Sequence, residues 1–231
     1  MTDQSPPPDP GQHARDTITG RRSIRSFLSS PVPDTTLRTI LTDAARAPSG
    51  NNTQPWKVYC ATGETRDRLS RDVRAAAEAG EYSNEYPYMP KDLGDPYITR
   101  KRTLGYALYE HYGIARSDYP ARKAAMLRNF DFFGAPLGLF FTMDRDLLYG
   151  SWLDCGMFIQ NVLILARTHG LETCCQQAWA EFGTPVRAAL NIPDSEILIT
   201  GMAVGYADPD APENALVSSR VPLDDFVTFC T

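Results

Sequence analysis

The sequence predicts a layered α/β or α+β domain, and three observations carry that prediction. Short apolar or alternating runs that suit strands are separated by stretches with helical apolar spacing. No Gly-x-Gly-x-x-Gly opens a helix after the first strand, and the order lacks the tight βαβ alternation of a doubly wound sheet, so a Rossmann dinucleotide domain is not expected. At 231 residues, 42% of them hydrophobic, the chain builds a substantial core without needing a second domain.

The elements follow in order. Residues 1–16 are polar and proline-rich (SPPPDP) with no apolar h-region, so they read as a disordered tail, not a signal peptide, and residues 17–231 as one domain. Pro31 and Pro33 mark a turn, and Asp34 suits the N-cap of a helix in which Leu37, Ile40, Leu41 and Ala44 recur at helical spacing until Pro48. Trp56, Val58 and Cys60 alternate with Lys57 and Tyr59, which predicts a strand. A charged helix follows over 64–79, then an aromatic, proline-broken stretch over 81–95. After Pro96, residues Ile98, Leu104, Leu108 and Tyr112 fall on or near one helical face. Residues 137–142 (LGLFFT) form a short apolar run suited to a buried strand. Residues 149–168 are apolar on most sides, and such a helix must be covered all round, by its own domain or by a partner. Gly170 closes it. Two more strands are expected over 171–176 and 197–206 with a short helix over 184–190 between them, and residues 221–229 read as an extended apolar tail.

Composition excludes several classes. A net charge of −5 argues against a nucleic-acid binder, and no run approaches the roughly 18 apolar residues of a membrane span. Five cysteines, odd in number and without metal-type spacing, read as reduced thiols in a cytoplasmic protein. Cys174 and Cys175 are adjacent in a strand and point to opposite sides, so they read as buried hydrophobes and not as a redox pair. His13, His111 and His169 have no metal-like partners, and no metal is expected.

Two segments carry candidate chemistry. Arg21, Arg22, Ser23 and Arg25 put three guanidinium groups and a hydroxyl within five positions, which suits bidentate grip on a phosphate; a solvated basic turn is the plainer alternative. Residues 48–56 (PSGNNTQPW) offer exposed backbone N–H groups and amide and hydroxyl side chains for a heterocycle edge, although an ordinary helix-to-strand loop has the same composition.

Together and in this order, RRSIRSF and APSGNNTQPW resemble the nitroreductase family of flavoproteins. The resemblance continues through the apolar helix before Gly170, the GLETCC strand, the strand ending Val204-Gly205-Tyr206 and the SSRVPLDDF tail, and spans nearly the whole chain from Thr17. It implies an α+β fold, a three-layer α/β/α sandwich with a central, mostly antiparallel sheet, dimeric with FMN at the interface. By motif position, Arg21, Arg22, Ser23 and Arg25 would hold the cofactor phosphate together with Arg220. Pro48, Ser49, Gly50 and Asn52 would line the flavin ring from the other subunit. The segment Cys175, Gln176 and Gln177 would approach the ring's N5 edge, where the sequence departs from members with an acidic residue and glycine.

Because a flavin carries the hard chemistry, no nucleophile–base set is required, and none stands out. The resemblance implies hydride transfer from NADPH (or NADH) and ping-pong turnover. A mobile lid over 81–106 would meet a planar acceptor, with Tyr82, Tyr86, Arg100, Lys101 and Arg102 as its contacts, or the basic trio is a solvated helix face. Motifs in this region (EYPYMP, NFDFFGAPLGLFF) resemble the nitrobenzoate-reductase branch, which implies nitro reduction to hydroxylamine. Two alternatives stand beside it. Glu78 and Tyr82, with Lys101 or Arg102 downstream, have the spacing by which the deiodinase branch grips an amino-acid zwitterion. A non-enzymatic flavin-binding sensor or storage protein would share the clamp without turnover.

Overall fold

β2 (Leu137–Asp144) is buried at every position but its last, because it lies inside a four-stranded sheet covered on both faces. The computed structural model describes residues 10–230. The sheet runs β1 (Lys57–Thr62), β2, β4 (Glu196–Gly205), β3 (Glu172–Gln176), and every neighbouring pair is antiparallel. The helices are α1 (Pro10–Thr19), α2 (Asp34–Ala44), α3 (Gly63–Ala79), α4 (Tyr97–His111), α5 (Tyr119–Leu127), α6 (Tyr149–Thr168) and α7 (Gly183–Leu190).

The period-two alternation of β2 divides the core. Leu137, Leu139, Phe141 and Met143 pack in a cluster with Ile40 and Ala44 of α2 and Phe158 and Val162 of α6. Phe140 faces the other way, toward Leu69 and Val73 of α3, Val186 of α7 and Trp179. Helices therefore cover both faces of an antiparallel sheet, the three-layer sandwich expected of the sequence. Cys174 and Cys175 do fall in different layers, one in each cluster.

Two glycines and a bulge shape the strands. Gly138 lies under the Phe132 ring and Gly201 under the Trp179 indole; a Cβ would stand 2.2 and 2.4 Å from those rings. Phe132 reaches its place through a 3₁₀ segment, Arg128–Gly134, with φ of 52° and 54° at Phe132 and Phe133. Such angles cost a bulky side chain about 1–3 kcal/mol, offset here by three buried phenyl rings. Between Phe141↔Thr200 and Thr142↔Leu198 the register skips Ile199, a β-bulge that turns both Ile199 and Thr200 to one face.

Most expected elements lie within a residue or two of their places, and α6 starts and ends where expected. Four expectations need correction. Residues 10–16, read as disordered tail, belong to α1, where proline suits the first turn and Gln12 donates to Asp16 at i+4; residues 1–9 lie outside the described residues. Asp34 is the first helical residue and not the cap, and its carboxylate pairs with Arg38 at 2.6 Å. Helix α5 and the 3₁₀ segment after it occupy a region given no element. The C-terminal tail is broken by a 3₁₀ turn, Leu223–Asp225.

Candidate cofactor and acceptor site

Residues 21–27 run beside the outer edge of β3, where the Ile24 N–H donates to the Thr173 carbonyl. Asn214 fixes the segment by accepting from the Arg25 and Ser26 N–H groups, and Arg128 donates to the Arg25 carbonyl. This places Arg21 and Arg22 at the mouth of a cavity of about 600 Å³ that also holds Arg220 and Arg167. Two basic residues near one terminus thus meet one near the other, and α6 contributes a fourth. The guanidinium groups of Arg21 and Arg22 make no hydrogen bond or ion pair with any described residue. Among the described residues Arg220 bonds only to Ser218 and Ser219 beside it in the chain. Ser23 and Arg25 do not line this cavity; the Arg25 guanidinium donates to the Ser23 carbonyl at 3.1 Å.

Arg167 was not anticipated. A basic residue in the last turn of a helix is what the helix dipole favours anyway, so its position in the sequence carries no separate signal. It is held by donating to the Gly20 carbonyl, and it lies 3.4 Å from Glu172 Oε1.

The loop 48–54 sits elsewhere. The Gly50 N–H donates to Asp154 of α6 at 3.2 Å, and the Ser49 hydroxyl accepts from the Gln54 N–H. Asn51, Asn52 and Gln54 have φ of 49–60°, the left-handed region asparagine tolerates. Gly50 and Asn52 are exposed. Loop and clamp are tied to α6 at residues 154 and 167, about 20 Å apart along the helix axis, and they adjoin opposite ends of the sheet. Within one chain the structure does not bring these two predicted segments together.

Cys175 is half-buried in β3, and burial, reinforced by Cys174, pushes its thiol up to about 12, so it remains a neutral thiol. The Gln176 side chain is turned inward: its amide donates to the Asn129 carbonyl at 2.6 Å and its oxygen accepts from Trp179 at 3.3 Å. Only its main chain is left for a ligand. Gln177 is exposed and opens onto a second cavity.

That cavity, about 730 Å³, is lined by Tyr86, Tyr88, Met89, Lys101, Gln177 and Glu181 among others. Tyr86 is its fixed wall: its hydroxyl donates to the carbonyl of the bulged Ile199 at 2.5 Å, and its ring meets Trp152 edge-on at 4.8 Å. Burial, helped by Tyr88 and Glu85, pushes this phenol up to about 12. Of the five expected acceptor contacts only Tyr86 and Lys101 meet here. Arg100 lies over the Tyr97 ring, and Arg102 is exposed on α4. Tyr82 stacks on Phe182 and lines a separate cleft with Glu78. The zwitterion trio of the deiodinase reading is therefore split, because Lys101 opens onto the other cavity and Arg102 onto neither.

One face of α6 is uncovered. Tyr149, Leu153 and Met157, spaced four residues apart, are 88%, 72% and 39% exposed, while its other face is core. Among the described residues no helix is long and apolar enough to cross a membrane.

Comparison with known proteins agrees with this architecture. Residues 18–206 match the model of the Nitroreductase family. The chain is 41% identical to the nitrobenzene nitroreductase of Ectopseudomonas oleovorans over 218 residues, covering 93% of this chain and 95% of that protein. It is 36% identical to the 4-nitrobenzoate reductase of Pseudomonas putida over 212 residues, covering 92% and 93%. The crystal structure of the FMN and NADPH-dependent nitroreductase NfnB from sphigopyxis sp. strain HMH superposes with a TM-score of 0.92 at 39% identity, covering 94% of this chain and 99% of that one. A sandwich with these layers, an arginine cluster closed from both ends of the sequence, and relatives matched along nearly their full length lead to one conclusion: the chain belongs to the nitroreductase family.

Proposed function

We propose that this protein is an FMN-dependent oxidoreductase that uses NADPH, or NADH, to reduce nitroaromatic acceptors, working as a homodimer. The convergence of Arg21, Arg22, Arg167 and Arg220 on one cavity carries the reading. The guanidinium groups of Arg21 and Arg22, without a hydrogen-bond or ion-pair partner among the described residues, fit a phosphate dianion, whose oxygens such groups bond bidentately. Ser23 and Arg25 brace the same segment.

When bound, FMN would supply the redox chemistry, as acceptor of hydride from the nicotinamide and donor of electron pairs to the nitro compound. The chain's own residues bind and orient. The loop of Pro48, Ser49, Gly50 and Asn52 is tied through the Gly50 N–H to Asp154, the neighbour of Leu153 on the uncovered Tyr149–Leu153–Met157 stripe of α6, so a second copy seated on that stripe would bring its loop to the interface. An isologous contact of this kind presents both loops at once and covers the apolar stripe of both copies. Cys175, Gln176 and Gln177 offer main-chain groups to the ring edge. Tyr86 and Lys101 shape an acceptor cavity with aromatic rings on one side and the Lys101 ammonium, near Glu181, on the other, suited to a planar nitrobenzoate. Nitro reduction to nitroso takes two electrons and two protons and releases water; the next pair gives the hydroxylamine. Tyr86, neutral far above physiological pH, is a poor proton source for these steps, so solvent supplies the protons. Five free cysteines fit a reducing, cytoplasmic setting.

The test is an anaerobic absorbance titration of the purified protein. A flavin band near 450 nm, about one FMN per chain, should bleach with NADPH and return with 4-nitrobenzoate. Absence of flavin, with no binding of added FMN, would remove the reading. Bleaching without recovery would keep the flavoenzyme and reject the acceptor.

A further inference from the structure

An anion stands directly behind the arginine cavity, against Arg167 of its wall. Glu172, the first residue of β3, lies with Oε1 3.4 Å from Arg167 Nη1, while its Oε2 is buried and has no hydrogen-bond partner. The Arg167 Nε is likewise buried without a partner. Arg21 and Arg22, the two unpaired guanidinium groups of the same cavity, act electrostatically on this carboxylate. A half-buried carboxylate that uses one oxygen and strands the other sits in an arrangement open to a better anion.

We propose that Glu172 is the built-in counter-anion of the phosphate clamp, competing with the cofactor phosphate for Arg167, Arg21 and Arg22 and so linking FMN affinity to its own protonation. The proposal rests on the FMN reading above. The charged groups facing Glu172 are all cations but one. Arg167 of α6 and Arg21 and Arg22 of the adjoining segment are cations, and Arg220 enters the cavity from the C-terminal side. On α1, the Asp16 carboxylate is already engaged by Gln12. Opposite Glu172 on β4 stands Gly205, which has no side chain.

The sign follows from the same neighbours. Burial pushes the Glu172 carboxyl above the usual carboxylate range, and Arg167, Arg22 and Arg21 pull it back without cancelling burial. A phosphate arriving on those guanidinium groups withdraws their help and adds a like charge, which favours the protonated carboxyl. Binding then takes up a proton and is favoured as pH falls through the Glu172 titration. The phosphate's own second ionisation works the opposite way, and comparison of two proteins at each pH cancels it.

The experiment is a fluorescence titration of the full-length protein, stripped of flavin, with FMN and with riboflavin, which lacks the phosphate, between pH 5.5 and 8. At pH 8 the Glu172→Gln variant should bind FMN about tenfold more tightly than the parent, the effect of one pKa unit of coupling, and the difference should close toward pH 5.5. Riboflavin should bind both proteins equally at every pH. Glu172→Asp, which keeps the charge, should retain the parent's pH dependence. Equal FMN affinity of parent and Glu172→Gln at pH 8, or a gain shared by riboflavin, overturns the proposal while leaving the flavoprotein reading intact. Failure of both proteins to bind FMN would instead defeat the reading beneath it.

Discussion

Arg187 meets Glu85 with both arms of its guanidinium, Nε to Oε1 at 2.6 Å and Nη2 to Oε2 at 2.8 Å, and Arg145 adds a third contact at 3.0 Å. The pair matters because Glu85 directly precedes Tyr86. Around it, the Ser83 and Glu85 N–H groups donate to the Glu181 and Ala180 carbonyls, so residues 83–86 form a fixed root for the segment that continues to α4. Gly183 leaves room for this carboxylate, since a Cβ there would stand 2.3 Å from Glu85 Oε1.

Glu85→Ala should therefore deprive Arg187 of its counter-charge while leaving both arginines their carbonyl partner at Glu196, and should cost about 3 kcal/mol of stability, the low end for breaking a buried pair. Burial alone would raise the Glu85 carboxyl, but Arg187 and Arg145, with the Leu198 N–H, outweigh it and hold the group below the usual carboxylate range. A depressed folded-state pKa gives stability that is present above the unfolded value, about 4.3 for a glutamate, and is lost as pH falls through the folded one. Urea unfolding at pH 7 and pH 3 should show the parent losing this contribution in acid and the variant showing no such loss.

Tyr86→Phe leaves the Ile199 carbonyl at the bulge unpaired and should cost about 1–3 kcal/mol. Its pH–rate profile for nitrobenzoate reduction should match the parent's below pH 10, because a phenol pushed up to about 12 stays neutral there. A change in the profile near neutrality would give Tyr86 a proton-transfer role.

Gly201→Ala should force the Trp179 indole off the sheet. Overpacking of this kind costs about 1–3 kcal/mol, and in a chain of this size each kcal/mol lowers Tm by about 2–4 °C. Differential scanning calorimetry measures it directly. An unchanged Tm would mean that the ring moves aside freely.

Leu153→Arg places a charge on the uncovered stripe of α6, where Leu153 is 72% exposed in the single chain and its removal leaves no internal cavity. Light scattering should find the parent as a dimer and the variant as a monomer with reduced FMN content. A monomeric parent, or a dimeric variant that keeps its flavin, would place the interface elsewhere.

Most of the fold was legible because its signals are local. Helix α6 announces itself through twenty residues of apolar spacing closed by Gly170, and β2 through an apolar run too short for a helix. The region of α5 was not legible, since its Tyr119-Pro120 start and the NFDFFG run after it mix helix and strand cues. The positive φ angles of Phe132 and Phe133 are set by tertiary packing against Gly138 and Trp179. At the site, Arg21 and Arg22 could be named because charge clusters are costly without an anion, and Arg220 only through the family resemblance of the SSRVPLDDF tail. Arg167 and Glu172 are single charges on regular elements and became visible only when the fold set Arg167 in the cavity wall and Glu172 against it. The division of Tyr82 from Tyr86 was equally hidden, for the fixed root at Glu85 depends on arginines sixty and more residues away.

A flavin site shared between chains would join the arginine clamp of one to the 48–52 loop of its partner, and complementation tests that sharing most directly. One variant carries Arg21→Ala with Arg22→Ala; the other carries Gly50→Leu, at an exposed position whose added Cβ meets only Asp154 Oδ2, at 3.9 Å. Each should be inactive alone. Unfolded and refolded together in equal amounts, they should regain about one quarter of parental NADPH–nitrobenzoate activity, since half the dimers are mixed and each mixed dimer has one intact site of two. No recovery in a mixture shown to contain the mixed dimer would contradict a site shared between chains.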